Sequence, residues 1–175
     1  MKRLIWFIIF ILAACSTQPK ATITLAAGEL RVNPPEGWVF EARQRLLLAS
    51  NQAVLDELLT GSPTIEADEA VISINAFIPQ AYPGLTNSSS LIDVLNIVAQ
   101  ELESAYPVDF DRIQFFSIKD TDAIYITTHT PSFDMTLVIV RLDTGFAVMN
   151  IFTSEGGFEI FKPTIETLIP TIEFE

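Results

Sequence analysis

The run from Phe133 to Leu142 constrains the fold most, because its apolar residues alternate onto two opposite faces. Met135, Leu137 and Ile139 point one way, and Val138, Val140 and Leu142 the other. Successive side chains of a strand leave opposite sides of a sheet, so a strand that is apolar on both sides must be covered on both. This run is therefore read as a central strand. Its neighbours Arg112 to Ile118, Ala123 to His129 and Phe146 to Thr153 are also strand-like. The short connectors Lys119-Asp120-Thr121-Asp122 and Asp143-Thr144-Gly145 suit an antiparallel meander.

The sequence offers three amphipathic segments as cover. Leu91, Val94, Leu95, Val98, Leu102 and Ala105 share one face of a helix over residues 91–105, with Ser90 and Asp93 as a capping pair ahead of it and Pro107 as its stop. Val54, Leu55, Leu58 and Leu59 give a short helix over 51–59, closed by Gly61 before Pro63. Phe158, Phe161, Ile165 and Leu168 give a closing helix that carries Pro163 and ends at Pro170, with an edge strand from Thr171 to Phe174 after it. Upstream, Glu29 to Val32 and Trp38 to Ala42 read as strands joined by the turn Asn33-Pro34-Pro35-Glu36-Gly37, followed by strands at Leu46 to Ala49 and Val71 to Ile78. The expected fold class is α+β, an antiparallel sheet sandwiched between helices. Trp38, Phe40, Phe115, Phe116, Phe133, Phe146, Phe152, Phe158 and Phe161 fall at core spacing, while Glu66, Asp68 and Glu69 read as a loop facing water.

This order of elements, with the Pro35-Glu36-Gly37-Trp38 turn and the aromatic start Phe158-Glu159-Ile160-Phe161 of the last helix, resembles the PsbP-like superfamily from about Glu29 to Phe174. The resemblance implies an α/β/α sandwich that binds partners rather than performs chemistry. Fold alone names no partner.

The first fourteen residues have the layout of a secretory signal: Lys2 and Arg3, an apolar run from Leu4 to Leu12, then Ala13 and Ala14. An eleven-residue helix from Leu4 to Ala14 reaches about 16 Å, roughly half of a 30 Å hydrocarbon core, which argues against a spanning helix. Leu12-Ala13-Ala14-Cys15 resembles the bacterial lipobox, whose cysteine receives lipid before cleavage. Cys15 is the single cysteine of the chain, and no disulfide competes for it. The expected organisation is a signal over 1–14, a lipidated tether over 15–21 and one domain over 22–175, held on the extracytoplasmic side of a cell membrane by lipid on Cys15. In a two-membrane envelope Ser16 is not the aspartate that retains sorted lipoproteins in the inner membrane, so the outer membrane is open to it. Ten basic residues less Lys2 and Arg3 leave eight against twenty-two acidic ones, a formal charge of −14. Such a surface repels phosphate backbones, and no nucleic acid is expected as a partner.

Little in the chain points to chemistry. The single histidine, His129, falls at a strand end beside Tyr125 and Thr127, without a Gly-x-Ser-x-Gly turn. One cysteine and one histidine do not make a structural zinc site. Asp109 and Asp111, and Asp120 and Asp122, are carboxylate pairs at the two ends of one expected strand, and they are the only cation candidates. They lack the glycine and terminal glutamate of a dedicated calcium loop, and Gly156-Gly157 lacks the lysine of a phosphate loop. The expectation is therefore a non-enzymatic binding or accessory domain without a cofactor, with a protein partner at the membrane surface. The alternative is a carrier of a small ligand or cation in a cleft between sheet and helix.

Overall fold

The structure is a computed structural model that describes residues 19–60, 64–105, 113–116, 118, 120–130 and 132–175, the side chains of 102–105 excepted. Strands β1 (Ala21–Leu25) and β2 (Gly28–Val32) form a hairpin, followed by β3 (Val39–Ala42), β4 (Leu46–Ala49), helix α1 (Gln52–Thr60) and β5 (Ala70–Phe77). Helix α2 (Leu91–Ala105) leads to the meander β6 (Gln114–Phe115), β7 (Ala123–His129), β8 (Asp134–Arg141) and β9 (Phe146–Thr153). Helix α3 (Phe158–Leu168) and β10 (Glu173–Phe174) close the chain.

The main sheet has seven antiparallel strands in the order β3-β4-β5-β9-β8-β7-β6. As the alternation of Phe133 to Leu142 requires, β8 lies inside it and is buried from Asp134 to Val140. Every strand side chain contributes to one of two faces. Ile72, Ile74, Tyr125, Val138, Met149 and Ile151 pack with Phe158, Ile165 and Leu168 of α3. On the other face Ile124, Leu137, Ile139, Phe146 and Val148 pack with Val94, Leu95 and Val98 of α2, while Leu47, Ala49 and Val71 pack with Val54 and Leu55 of α1. The fold class is thus the expected α+β sandwich.

The first strands depart from expectation. The Pro35-Gly37 turn does not join two strands of one sheet, because β2 belongs to a separate three-stranded sheet ordered β1-β2-β10. The Thr171–Phe174 segment supplies the third of its strands, with Glu173 opposite Arg31 and Phe174 opposite Leu30. Ala21, Ile23, Leu30 and Val32 of this small sheet bury against the same face as α3, so that face is covered by a helix and a sheet together. β1 was not anticipated, although Ala21, Ile23 and Leu25 alternate with Thr22 and Thr24. The fold consequently begins one residue earlier than expected: Ala21 is fully buried and pairs with Val32.

Local chemistry explains the joints. Gly37 has φ +81° and the Trp38 N–H donates to the Pro35 carbonyl, a tight turn that needs glycine at its third position. It delivers the Trp38 ring edge-on to Phe161 at 6.1 Å. The two short signatures of the PsbP-like resemblance are therefore one packing contact. Asn51 caps α1, its Oδ1 accepting the Val54 N–H at 3.0 Å and its Nδ2 donating to Glu69 at 2.8 Å. Glu69, expected to face water, also accepts the Glu66 N–H, so it ties the loop to the helix. Pro163 sits sixth in α3, where it has no N–H to give the Glu159 carbonyl. The packing of Ile165 on the sheet and of Phe161 on Trp38 holds the helix through that gap.

The start of α2 is the capping box expected from Ser90 and Asp93. The Ser90 N–H and hydroxyl both donate to Asp93 at 2.8 Å, and the Asp93 N–H donates back to the Ser90 hydroxyl at 3.2 Å. These donors, the hydroxyl first, hold the Asp93 carboxyl below the usual carboxylate range. A carboxyl depressed by folding contributes its stability above its unfolded pKa and loses it as pH falls through the folded value. Acidification through and below the ordinary carboxylate range should therefore lower the amide-exchange protection of the first turn of α2 relative to the intrinsic rate at each pH, and Asp93→Asn should flatten that response.

The β8–β9 turn tolerates no side chain at Gly145, since a Cβ there would lie 2.2 Å from the Phe77 carbonyl oxygen. Backbone must move to admit one. Gly145→Ala should cost about 1–3 kcal/mol of stability, read as a lower urea midpoint with an unchanged slope.

Candidate functional site

The most built-up concave surface lies where α2 begins, beside the ends of β6, β7 and β8. α2 crosses the face of the sheet that carries Ile124 and Ile139 and stops short of the last strand, β6, leaving a trough between helix and sheet edge. Its volume is about 690 Å³, and Leu91, Ile92, Phe115, Ala123 and Ile124 line it. Phe115 pairs with Ile124 across the ladder and so stands on the same face as α2. It is 69% exposed, and Ile92 across the trough 43%. The expected core role of Phe115 is thus overturned, because among the described residues no helix reaches over the edge strand to bury it. Phe40, on the opposite edge strand β3, is 36% exposed and pairs with Leu48, on the face that α3 and the small sheet cover.

A second cleft of about 750 Å³ adjoins the first and shares Asp122 and Arg141 with it. Asp120, Asp122 and Asp143 line it and all three are exposed. Asp120 has φ +63°, a left-handed turn position that aspartate tolerates. Asp143 was missed by the sequence reading because it belongs to a different connector, and only the pairing of β7 with β8 brings the two turns together. Among the described residues, no three His, Cys, Asp or Glu side chains converge closely enough to hold a metal ion. The aspartates line the cleft without forming a cage. Arg141 fixes the wall between the clefts: its guanidinium donates to the Ser89 carbonyl at 2.7 Å and stacks 5.0 Å over the Phe146 ring.

His129 lies at the far end of β7 from this surface. Its Nδ1 is 2.7 Å from Asp134, a carboxylate only 1% exposed, whose second oxygen accepts the Gly156 N–H at 2.7 Å. An oriented histidine beside a buried carboxylate is part of a hydrolytic triad. The Thr153 hydroxyl, on the residue paired with Asp134, is sealed from solvent, and that of Thr130 is committed to Phe133. Neither is placed to attack a substrate. The pair is better explained as a clasp, in which Asp134 ties the Gly156 turn ahead of α3 to the end of β8. Asp134→Ala should remove the charged acceptor that holds His129 and the Gly156 N–H and cost about 1–3 kcal/mol in urea unfolding.

Under α3, Tyr125 donates to Gln114 at 2.7 Å and accepts from Lys162 at 2.9 Å. The tyrosine hydroxyl, ahead of opposing desolvation, holds the Lys162 ammonium above the usual lysine range. Phe116 and Phe158 stack on Tyr125 at 4.6 and 5.1 Å, a core contact rather than an aromatic box. Cys15, Asp109 and Asp111 lie outside the described residues.

No family model matches the sequence, and no curated protein matches it. The fold does match solved structures. The solution structure of cyanobacterial PsbP (CyanoP) from Synechocystis sp. PCC 6803 superposes with a TM-score of 0.53 at 11% identity, covering 93% of this chain and 96% of that one. PA94 of Pseudomonas aeruginosa, a protein of unknown function, aligns at 14% identity over 85% of this chain and 92% of its own, with a TM-score of 0.40. The chain therefore has a PsbP-like fold, and at this identity the likeness extends to fold alone.

Proposed function

We propose that this chain is a membrane-tethered, non-enzymatic binding domain of the bacterial cell envelope, held by lipid on Cys15 and acting as an accessory subunit of a larger assembly. The observation that carries the reading is the closeness of the lipobox-like cysteine to the fold. Ala21 is already buried in β1, so only residues 16–20 separate it from Cys15. Six residue steps span at most about 20 Å even when fully extended. An anchor this short confines the domain to partners at the same membrane surface. Two or three acyl chains, at about 0.8 kcal/mol per buried methylene, make such an anchor stable where one chain is marginal.

The arrangement of polar groups supports binding over catalysis. The one histidine is engaged with a buried carboxylate at 2.7 Å, and among the described residues the clefts beside α2 hold aspartates without a metal cage or a nucleophile–base pair. A small-ligand carrier would use these clefts too. Pockets for small ligands bury about 70–90% of their occupant, whereas both clefts open broadly to solvent, which suits a segment of a larger partner.

Cys15→Ser should move the protein from the membrane to the soluble fraction and abolish metabolic labelling with fatty acid, with the urea midpoint of the folded part unchanged. Labelling that persists in the variant would refute the anchor. Crosslinking in native membranes should recover a specific protein partner with the parent chain; none above background would remove the binding reading.

A further inference from the structure

We infer that the β3 edge of the main sheet, with Trp38, Phe40 and the turn from Arg43 to Arg45, rests on the anionic phospholipid surface of the membrane that holds Cys15. The inference rests on the lipid-anchor reading and adds to it the face that the domain turns to the bilayer.

Three observations meet at this edge. First, the chain enters the fold beside it. Lys20 immediately precedes β1, and β1 lies against β3 and β4. The six steps from Cys15 to Ala21 reach at most about 20 Å, so the side of the domain that carries β1 is the side drawn to the bilayer. Second, the edge is apolar and cationic together. Phe40 is 36% exposed and Trp38 half-buried, both on the face that α3 and the small sheet cover. The turn after β3 carries two exposed arginines, Arg43 and Arg45. Arg43 donates from Nε to Glu41 at 2.9 Å, and Arg45 has no carboxylate partner among the described residues. Tryptophan and arginine are side chains that settle where headgroups meet acyl chains.

Third, charge is divided unequally along the chain. Residues 20–45 carry four basic and three acidic side chains, a net +1, whereas residues 46–175 carry four basic and nineteen acidic ones, a net −15. The field of an anionic surface falls off within a Debye length, about 8 Å at physiological salt. The charges nearest the lipid therefore decide the orientation, and a cationic turn can hold down one edge of an acidic domain. β6 is the opposite edge, six strand spacings away, or roughly 29 Å along the sheet at about 4.8 Å each. In this orientation the trough at Phe115 stands clear of the lipid and open to a partner.

The test uses the full mature chain, lipidated on Cys15 and checked by mass, in vesicles of phosphatidylcholine with phosphatidylglycerol. Trp6 leaves with the signal, so Trp38 is the single tryptophan of the mature chain. Lipid on Cys15 likewise makes an engineered cysteine the single free thiol. Lipids brominated near the headgroup end of the acyl chain should quench Trp38. A nitroxide on Gln44→Cys should be shielded from an aqueous relaxant, while one on Ile92→Cys, beside the trough, stays open to it. The variant R43Q/R45Q, changed only at exposed side chains, should lower the quenching about threefold while staying on the vesicles and keeping its urea midpoint. Equal aqueous access at positions 44 and 92, shielding at 92 instead of 44, or quenching unchanged in R43Q/R45Q or in pure phosphatidylcholine would overturn the surface. So would spin–spin broadening between labels at 44 that survives dilution in lipid, which would put a second copy on this edge. Each of those outcomes leaves the anchor in place, because the chain is still held by the vesicles. A mature chain whose mass shows no acyl group removes the anchor reading, and this inference with it.

Discussion

The antiparallel ladder of β5, β9, β8 and β7 is the interaction on which everything else depends. Eight residue pairs join β5 to β9 and eight join β9 to β8, so the side-chain phase of these strands is locked together. A slip of one residue would move Ile139, Val148 and Phe146 from the α2 side to the α3 side and expose a core on each. With both faces apolar, the sheet has no side it can turn to water, and each remaining element is a means of covering it.

The two faces are covered in different ways. Under α3 the cover is completed by the small sheet, whose three strands come from the two ends of the folded chain. The Glu29 N–H donates to the Glu175 carbonyl and the Glu175 N–H returns the bond at 3.1 Å. Arg31 reaches Glu29 and Glu175, and Lys20 reaches Glu173. These ion pairs are exposed and contribute little energy, but they mark how the chain's ends are stitched into one edge. On the opposite face α1 and α2 share the cover: α1 packs on β4, β5 and Val39 of the edge strand β3, while α2 packs on the strands inside β6. Incomplete cover by α2 is why Phe115 is exposed and why a trough exists beside it.

Most of the fold was legible in the sequence because its signals are periodic and local. The alternation in β8, the 91–105 stripe and the Ser90–Asp93 pair each report a structure whose partners lie within a few residues. The long β6 expected over Arg112 to Ile118 reduces to Gln114–Phe115, because alternation marks the residues that suit a strand and not the length over which a neighbour pairs with them. The small sheet was illegible for a related reason: the pairing of β2 with β10 joins residues about 140 positions apart, Arg31 with Glu173 and Leu30 with Phe174, whereas β1 forms a local hairpin with β2 whose alternation was present but overlooked. The candidate site was less legible still. Asp120 and Asp122 were visible as a pair, yet Asp143 joins them only through the β7–β8 register. Phe115 looked like core, since a hydrophobic residue in a strand carries no mark of whether a helix will lie over it.

The sequence by itself determined that this chain builds an antiparallel sheet apolar on both faces, covered by amphipathic helices, with a lipobox-like cysteine just ahead of the fold. Those properties follow from residue chemistry repeated at fixed spacing, which needs no knowledge of what packs where. Tertiary structure alone decided that the chain's two ends combine into a second sheet, that Trp38 meets Phe161, that His129 is taken up by a buried Asp134, and that α2 stops short of β6. These are fixed by the lengths of the elements and the register of the ladder, which bring distant residues such as Trp38 and Phe161 together and set His129 opposite Asp134 across the β7–β8 ladder, rather than by any signal in the residues themselves.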